Sequence, residues 1–331
     1  MQYPDIYYTH DYVRLFEAMD HGTSIGYHFA SDLGEVFFSF ILRPVEINNQ
    51  PTGFFDIISP YGYGGPAILR VLPNRDDELI RAFDRDFSAY CRKNKIVSEF
   101  VRFHPLLRNV EYCKNIYQST WNRHTAVVDL SVGDLMTDSF SSKCRNMIRK
   151  AVKNGVTIQF DFDGTTVDDF HRLYTLTMQK NMAQDYYYFT KEYFDETIQT
   201  LKGSIFILNA LYEGRIVSAA MFMHHQQFMH YHFSATHPEY YKLACNNLIL
   251  SEASHWGKSQ GKQILHLGGG FTTAEDDPLF VFKKSFVKNE LNDFWIGQRI
   301  HNHNIYQQLV ELAQKNKAEP LKTDFFPLYR L

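Results

Sequence analysis

The stretch 266–286, HLGGGFTTAEDDPLFVFKKSF, holds the residues best suited to chemistry. Gly268, Gly269 and Gly270 close what reads as a strand over 262–267, and glycines at a strand end open space beside it. The acidic run Glu275-Asp276-Asp277 follows, then Phe282-Lys283-Lys284-Ser285-Phe286. If 279–283 is a strand, Phe282 and Lys283 point to opposite faces. A lysine leaving a sheet beside such a gap can hold a phosphate or a developing oxyanion. An ordinary surface lysine is the competing reading.

Two further constellations suggest anion and ligand contacts. The segment 139–155, SFSSKCRNMIRKAVKNG, predicts a helix capped by Ser141 or Ser142 and stopped by Gly155. It carries Lys143, Arg145, Arg149, Lys150 and Lys153 with no acid, and Arg145 and Arg149 share a face. Like charges at that spacing repel, so a bound phosphate would offset the cost; a solvated face is the alternative. SPYGYGGP at 59–66 places Tyr61 and Tyr63 among Gly62, Gly64 and Gly65 at a strand end. Glycines there let a ligand touch main-chain amides, and a tight turn is the plainer reading. His224, His225, His230, His232 and His237 have no cysteine or carboxylate in zinc spacing, so no metal is expected. The patterns GxxxxGK[ST], GxSxG, HExxH and GxGxxG are absent.

The elements that must position these residues follow from periodicity. Strands are expected at 35–45, 52–59 and 96–103, with a helix over 74–94 carrying Leu79, Ile80, Phe83, Phe87 and Tyr90 on one side and Asn74 as N-cap. Strands at 204–212, 215–224 and 228–234, joined by Glu213-Gly214 and a short HQQ loop, predict an antiparallel meander. A helix at about 246–260 and the strand 262–267 complete that half; further helices are expected at 166–183 and near 303–317, the last ending before Pro320. Each half reads strand, strand, helix, strand, which suggests a duplicated mixed α/β protein.

Composition narrows the class. Of 331 residues 44% are hydrophobic and 16% aromatic, enough for a large core, and the net charge of −3 excludes a whole-chain basic field for nucleic acid. Cys91, Cys113, Cys144 and Cys245 are far apart without a CxxC, which suits a reduced, cytoplasmic protein. The first residues, MQYPDIYYTHD, do not read as a signal peptide, and no run approaches the roughly 18–20 apolar residues of a membrane span.

In order and wording the landmarks resemble the FemABX-type peptidyltransferases and their double-GNAT relatives. The matching pieces are SPYGYGGP at 59–66, FVRFHP at 100–105, RNMIRKA at 145–151 with Gly155, HLGGG at 266–270 and FKKSF at 282–286. The resemblance implies an α/β (mixed α+β) chain of two tandem GNAT-like (acyl-CoA N-acyltransferase) domains, each a mainly antiparallel sheet flanked by helices. The expected division is 1–140 and 141–299, with the tail 300–331 packing back on the first domain. It implies transfer of an amino acid from aminoacyl-tRNA to an amine of a peptidoglycan or other cell-envelope precursor, with no cofactor, and possible peripheral contact with the inner membrane face. Carried over by position, Lys283 would stabilise a donor phosphate or the oxyanion, with Phe282 beside it. Tyr61, Tyr63, Gly64, Gly65, Arg102, His104, Arg145, Arg149, Gly269 and Lys284 would contact substrates. The run Tyr186-Tyr187-Tyr188 would frame the acceptor cleft, with hydrophobic packing as the other explanation. The coiled-coil arm frequent in the tRNA-dependent members is absent from the sequence.

The donor has a sequence signal of its own. Coenzyme A-dependent GNAT domains carry [RQ]xxGx[GA] ahead of a helix N-terminus that holds pyrophosphate. Here that loop, 235–247, contains neither glycine nor arginine, which favours aminoacyl-tRNA. Acetyl-CoA-dependent N-acylation of an amino sugar is the alternative, and a non-catalytic binding module a second one.

Overall fold

The structure is a computed structural model, and it describes residues 2–288, 291–315 and 325–331. Along the chain the elements are α1 (His10–Arg14), β1 (Thr23–Ser31), β2 (Gly34–Ile47), β3 (Gln50–Ile58), β4 (Ala67–Val71), α2 (Asp76–Lys93), β5 (Ile96–Arg102), α3 (Val110–Cys113) and β6 (Gln118–Asp129). Then come α4 (Leu135–Asp138), α5 (Ser142–Lys153), β7 (Thr157–Asp161), α6 (Val167–Lys180), α7 (Lys191–Thr200), β8 (Ile205–Tyr212), β9 (Arg215–His225) and β10 (Phe228–Thr236). The last are α8 (Cys245–Ser259), β11 (Ile264–Gly268), α9 (Pro278–Lys284), β12 (Leu291–Ile300) and α10 (His303–Gln314). The tail helix was expected to 317; residues 316–317 and Pro320 lie outside the described residues.

Two compact units form, Met1–Asn122 with Asp293–Leu331, and Arg123–Asn292. The division falls at 122/123 and 292/293 rather than at 140/141 and 299. The reason is strand pairing: Ala126 to Asp129 of β6 form an antiparallel ladder with β11 and so belong to the second unit.

In the first unit β2 pairs antiparallel with β1, β3 and β4, β3 runs parallel to β5, and β5 pairs antiparallel with β12. Val36, Phe38 and Phe40 alternate along β2 and bury against Leu79, Ile80, Phe83 and Phe87 of α2. Asp76, Asp77 and Glu78 start α2 and Arg92 and Lys93 end it, each charge matched to the helix dipole. Asn74 is not its N-cap: its φ is 59, and Arg75 takes the cap position without a side-chain bond. Tyr306, Leu309 and Ala313 of α10 pack with Tyr329 on Val45, Ile47 and Val97 of the same unit.

In the second unit the strand order is β6-β11-β10-β9-β8-β7, antiparallel except for β10 and β11. Cys144, Ile148 and Ala151 of α5 and Leu248, Ile249, Leu250 and Ala253 of α8 share its main core. Phe170 and Tyr174 of α6 and Phe194 of α7 cluster with Phe233 of β10, Phe170 meeting Phe194 edge-on at 5.1 Å. Each unit thus contains a parallel pair of strands whose connection includes a helix, β3–β4–α2–β5 and β10–α8–β11. Among the described residues, no helix is long and apolar enough to cross a membrane.

Candidate active site

The chain leaves β11 at Gly268, turns through 269–277 and enters α9. Pro278 occupies the first turn of α9, where its missing N–H costs nothing. Asp277 caps it: Oδ1 accepts from the amides of Leu279 and Phe280, both at 3.0 Å. These two signals make 278–284 a helix, which corrects the strand expected over 279–283. Phe282 and Lys283 are therefore successive helical positions rather than opposite faces. Phe282 packs edge-on against Phe286 at 5.5 Å, on the core side.

Lys283 is turned inward and only 8% exposed. Its Nζ donates to the carbonyl oxygen of Gly269 at 2.7 Å and lies 5.7 Å from the ring centre of Tyr231 on β10. Among the described residues no carboxylate pairs with it. Burial pushes its pKa down to about 7; Asp277 opposes that fall and the Arg123 guanidinium adds to it. A carbonyl uses one of the three N–H bonds that an ammonium can donate.

The glycines do not open space here. An added Cβ at Gly269 would lie 2.7 Å from Cδ of Arg123 and 2.9 Å from the carbonyl oxygen of His124; at Gly270 it would lie 2.4 Å from Oδ1 of Asp277. They are glycines because Arg123, on β6, and Asp277 come in against the backbone. Arg123 Nη1 donates to the carbonyls of Gly270 at 2.5 Å and Phe271 at 3.2 Å. Asp277 Oδ2 accepts from the Thr272 amide at 2.9 Å and its hydroxyl at 3.1 Å. Burial works against the Asp277 charge, yet the Phe280 and Thr272 amides hold its carboxyl below the usual range. An oxygen pair so occupied is a poor proton acceptor, so Asp277 is not placed to act as a general base. Arg123 had no local signal in the sequence; it reaches the turn only because β6 pairs with β11.

Residues 138–277 match the acetyltransferase (GNAT) domain model. The UDP-N-acetylmuramoylpentapeptide-lysine N(6)-alanyltransferase of Weissella viridescens is 24% identical over 182 residues, 53% of this chain. The alignment covers 51% of that relative, so the chain spans about half its length. Among solved structures, FemX superposes with a TM-score of 0.71 at 13% identity, over 92% of this chain and 95% of FemX. The C-terminal domain of a putative lysylphosphatidylglycerol synthetase from Agrobacterium fabrum follows at TM-score 0.56 and 12% identity, over 90% and 89%. The chain has the GNAT fold and is similar to Fem-type transferases.

Lys283 and Gly269 are brought together, and several other expected site residues are committed elsewhere. Arg145 is folded inward: Nη1 donates to the carbonyls of Met136 at 3.1 Å and Phe140 at 2.6 Å, and Nη2 to the Ser142 hydroxyl at 2.9 Å. Arg149 stays exposed, donating to Asn146 at 3.0 Å, and Lys143, Lys150 and Lys153 are exposed with it. Lys284 is exposed beside the Phe280 ring at 5.7 Å. Tyr187 is exposed in the loop between α6 and α7, where its carbonyl accepts from Tyr174; Asp185 is exposed there too. Of the clustered histidines, His230 meets His266 edge-on at 5.7 Å, and burial holds His232 and His224 neutral, at about 3 and about 4.

In the first unit the glycine run packs against its own surroundings. The Gly64 amide donates to Arg102, and its carbonyl accepts from Tyr8 at 2.9 Å and Asn109 at 2.7 Å. An added Cβ at Gly65 would lie 2.9 Å from both Asn109 and Val101. Arg102 donates to the Ser59 carbonyl at 2.8 Å and lies over the Phe100 ring. His104 is buried, with Nε2 3.6 Å from Asp5 and Nδ1 accepting from the Leu107 amide. Tyr63 meets Tyr7, His104 and Phe294 edge-on, and the Tyr61 carbonyl accepts from Tyr12 at 2.7 Å.

Proposed function

We propose that the chain is an acyltransferase that moves an amino acid from the ester of aminoacyl-tRNA to an amine of a peptidoglycan precursor. The observation that carries this reading is the buried Lys283, held by a single carbonyl, with a proton affinity set near neutrality. The activity for which the Weissella viridescens relative is named, alanyl transfer to the lysine of a UDP-linked pentapeptide, suggests the reaction class and the acceptor.

The chemistry asks little of the protein beyond placement and charge. The acceptor amine adds to the ester carbonyl carbon, the C–O bond to the ribose breaks, and the amine's proton ends on the released hydroxyl. Lys283, protonated once an anion is near, stabilises a donor phosphate or the negative charge on the carbonyl oxygen, worth more in a site withdrawn from water. No covalent intermediate on the protein is required. On this reading the protein works in the cytoplasm, on a cell-envelope precursor.

The test incubates the purified chain with a total pool of charged tRNA and UDP-N-acetylmuramoylpentapeptide, with acetyl-CoA in a parallel arm. A pentapeptide extended by one amino acid, formed from charged tRNA and lost by orders of magnitude in a folded Lys283→Ala variant, supports the reading. Extension by acetyl alone, or full activity in Lys283→Ala, overturns the donor or the residue respectively.

A further inference from the structure

We propose that Asp277 and Arg123 are positioning residues that clamp the 269–272 turn from two sides and so fix the Gly269 carbonyl against which Lys283 Nζ rests. The proposal deepens the reading of Lys283 given above and rests on it.

The turn has no regular structure of its own, yet five of its polar groups meet side chains. Three successive carbonyls meet cations: Gly269 takes Lys283, and Gly270 and Phe271 take Arg123. The next amide and hydroxyl, both of Thr272, go to Asp277 Oδ2, while Oδ1 of the same carboxylate starts α9. One side chain therefore ties the turn to the helix that carries Lys283, five residues after its first turn begins. Asp277 is 4% exposed, so neither oxygen can swing out to water without vacating a buried position. The two glycines permit the clamp, since a Cβ at Gly270 would collide with Asp277 and one at Gly269 with Arg123.

The clamp also has an electrical side, because its two jaws carry opposite charge. Charged or titratable groups around Lys283 and α9 are Arg123 and His124 from β6, Tyr231 from β10, Asp277 at the helix start and Lys284 beside it. Tyr231 is pushed up to about 12 by burial and stays neutral. Asp277 favours the ammonium and Arg123 disfavours it. Removing one jaw or the other should then move Lys283 in opposite directions. That separates positioning from mere loosening: a turn that comes apart admits water, and water raises the proton affinity of a buried lysine whichever jaw is lost.

The experiment is an NMR titration of lysine side chains in protein labelled with 13C and 15N at lysine, with the Lys283 signal assigned by its loss in Lys283→Arg. Wild type should titrate near neutrality. Asp277→Asn should shift the midpoint down and Arg123→Gln should shift it up, each by roughly half a pH unit or more. Asp277→Ser, which keeps a helix-capping hydroxyl without charge, should also shift it down and guards against a folding defect in the Asn variant. Shifts in the same direction for both jaws, or none, would overturn the proposal. Activity assays on the same proteins separate the two claims: opposite shifts with full turnover in Lys283→Ala leave the clamp standing and remove Lys283 from the reaction.

Discussion

Lys283 and Arg123, from α9 and β6, reach consecutive carbonyls of one turn: Lys283 Nζ lies 2.7 Å from the oxygen of Gly269 and Arg123 Nη1 lies 2.5 Å from that of Gly270. Two cations thus share one strip of backbone. The guanidinium is always charged, which leaves the ammonium as the member of the pair whose charge can respond to a ligand. An arriving phosphate or oxyanion would supply the counter-charge that Lys283 lacks.

That arrangement costs stability, and Lys283→Met should reveal the cost. Methionine fills a similar volume without a charge to desolvate, so the variant should be as stable as wild type or more stable at pH 6 while losing activity. The pH dependence has a definite sign. The folded-state value of about 7 lies below the unfolded value near 10.5, so the unfolded chain binds more protons between them. Wild type should therefore gain stability relative to Lys283→Met as pH rises from about 7 to 10.5, and show no change in that difference below 6. Parallel urea melts across this range measure it; a flat difference throughout would contradict the burial of a neutral amine.

Turnover should follow the same group. If the ammonium is the working form, kcat/KM, which reports the free protein, falls tenfold per pH unit above a midpoint near 7. Saturating donor should displace the midpoint of kcat upward, because the bound anion holds the proton. A rising limb near 7 would instead make Lys283 a base.

Much of this was legible in the sequence and the rest was hidden for identifiable reasons. Leu79, Phe83 and Phe87 announced α2 by spacing alone, and Glu213-Gly214 announced the hairpin of β8 and β9. The segment 279–283 misled because its apolar run, LFVF, has the composition of a strand. The Asp277-Pro278 start signal outweighed that composition. Gly269 and Gly270 were read as an opening, when each is required by a side chain arriving from elsewhere. Arg123 could not be found at all, since only the β6–β11 ladder brings it to the turn. Arg145 looks free on a helical wheel, but the two carbonyls it holds are those of Met136 in α4 and Phe140 just before α5.

Gly270→Ala tests the clamp sterically. Its Cβ would enter within 2.4 Å of Asp277 Oδ1, a short side chain pinned by amides at both oxygens. Overpacking of this kind costs about 1–3 kcal/mol. The loss should be matched by reduced turnover, and thermal melts with activity assays would show it. Gly261→Ala separates the two costs: nothing lies within 4 Å of an added Cβ there, but its φ of 70 strains any other residue, so its loss is backbone strain without collision.

The final turn of the chain is held by a charge pair that also admits a direct test. Arg330 meets Asp56 of β3 through Nε at 2.5 Å and Nη2 at 3.0 Å, and Nη2 reaches the Pro44 carbonyl at 2.8 Å. Asp56 is buried and shared with Arg43 Nε at 2.8 Å and the Tyr329 hydroxyl at 3.2 Å. Losing Arg330 therefore leaves the carboxylate partly paired rather than stranded. Arg330→Ala should cost about 2 kcal/mol, less than the removal of an only partner from a buried charge. Arg330→Lys should recover only part of it, because one ammonium cannot span both carboxylate oxygens and the Pro44 carbonyl. Denaturant melts of the three proteins would give that order, and an Arg330→Ala variant as stable as wild type would show that α10 and Tyr329 hold the tail by packing alone.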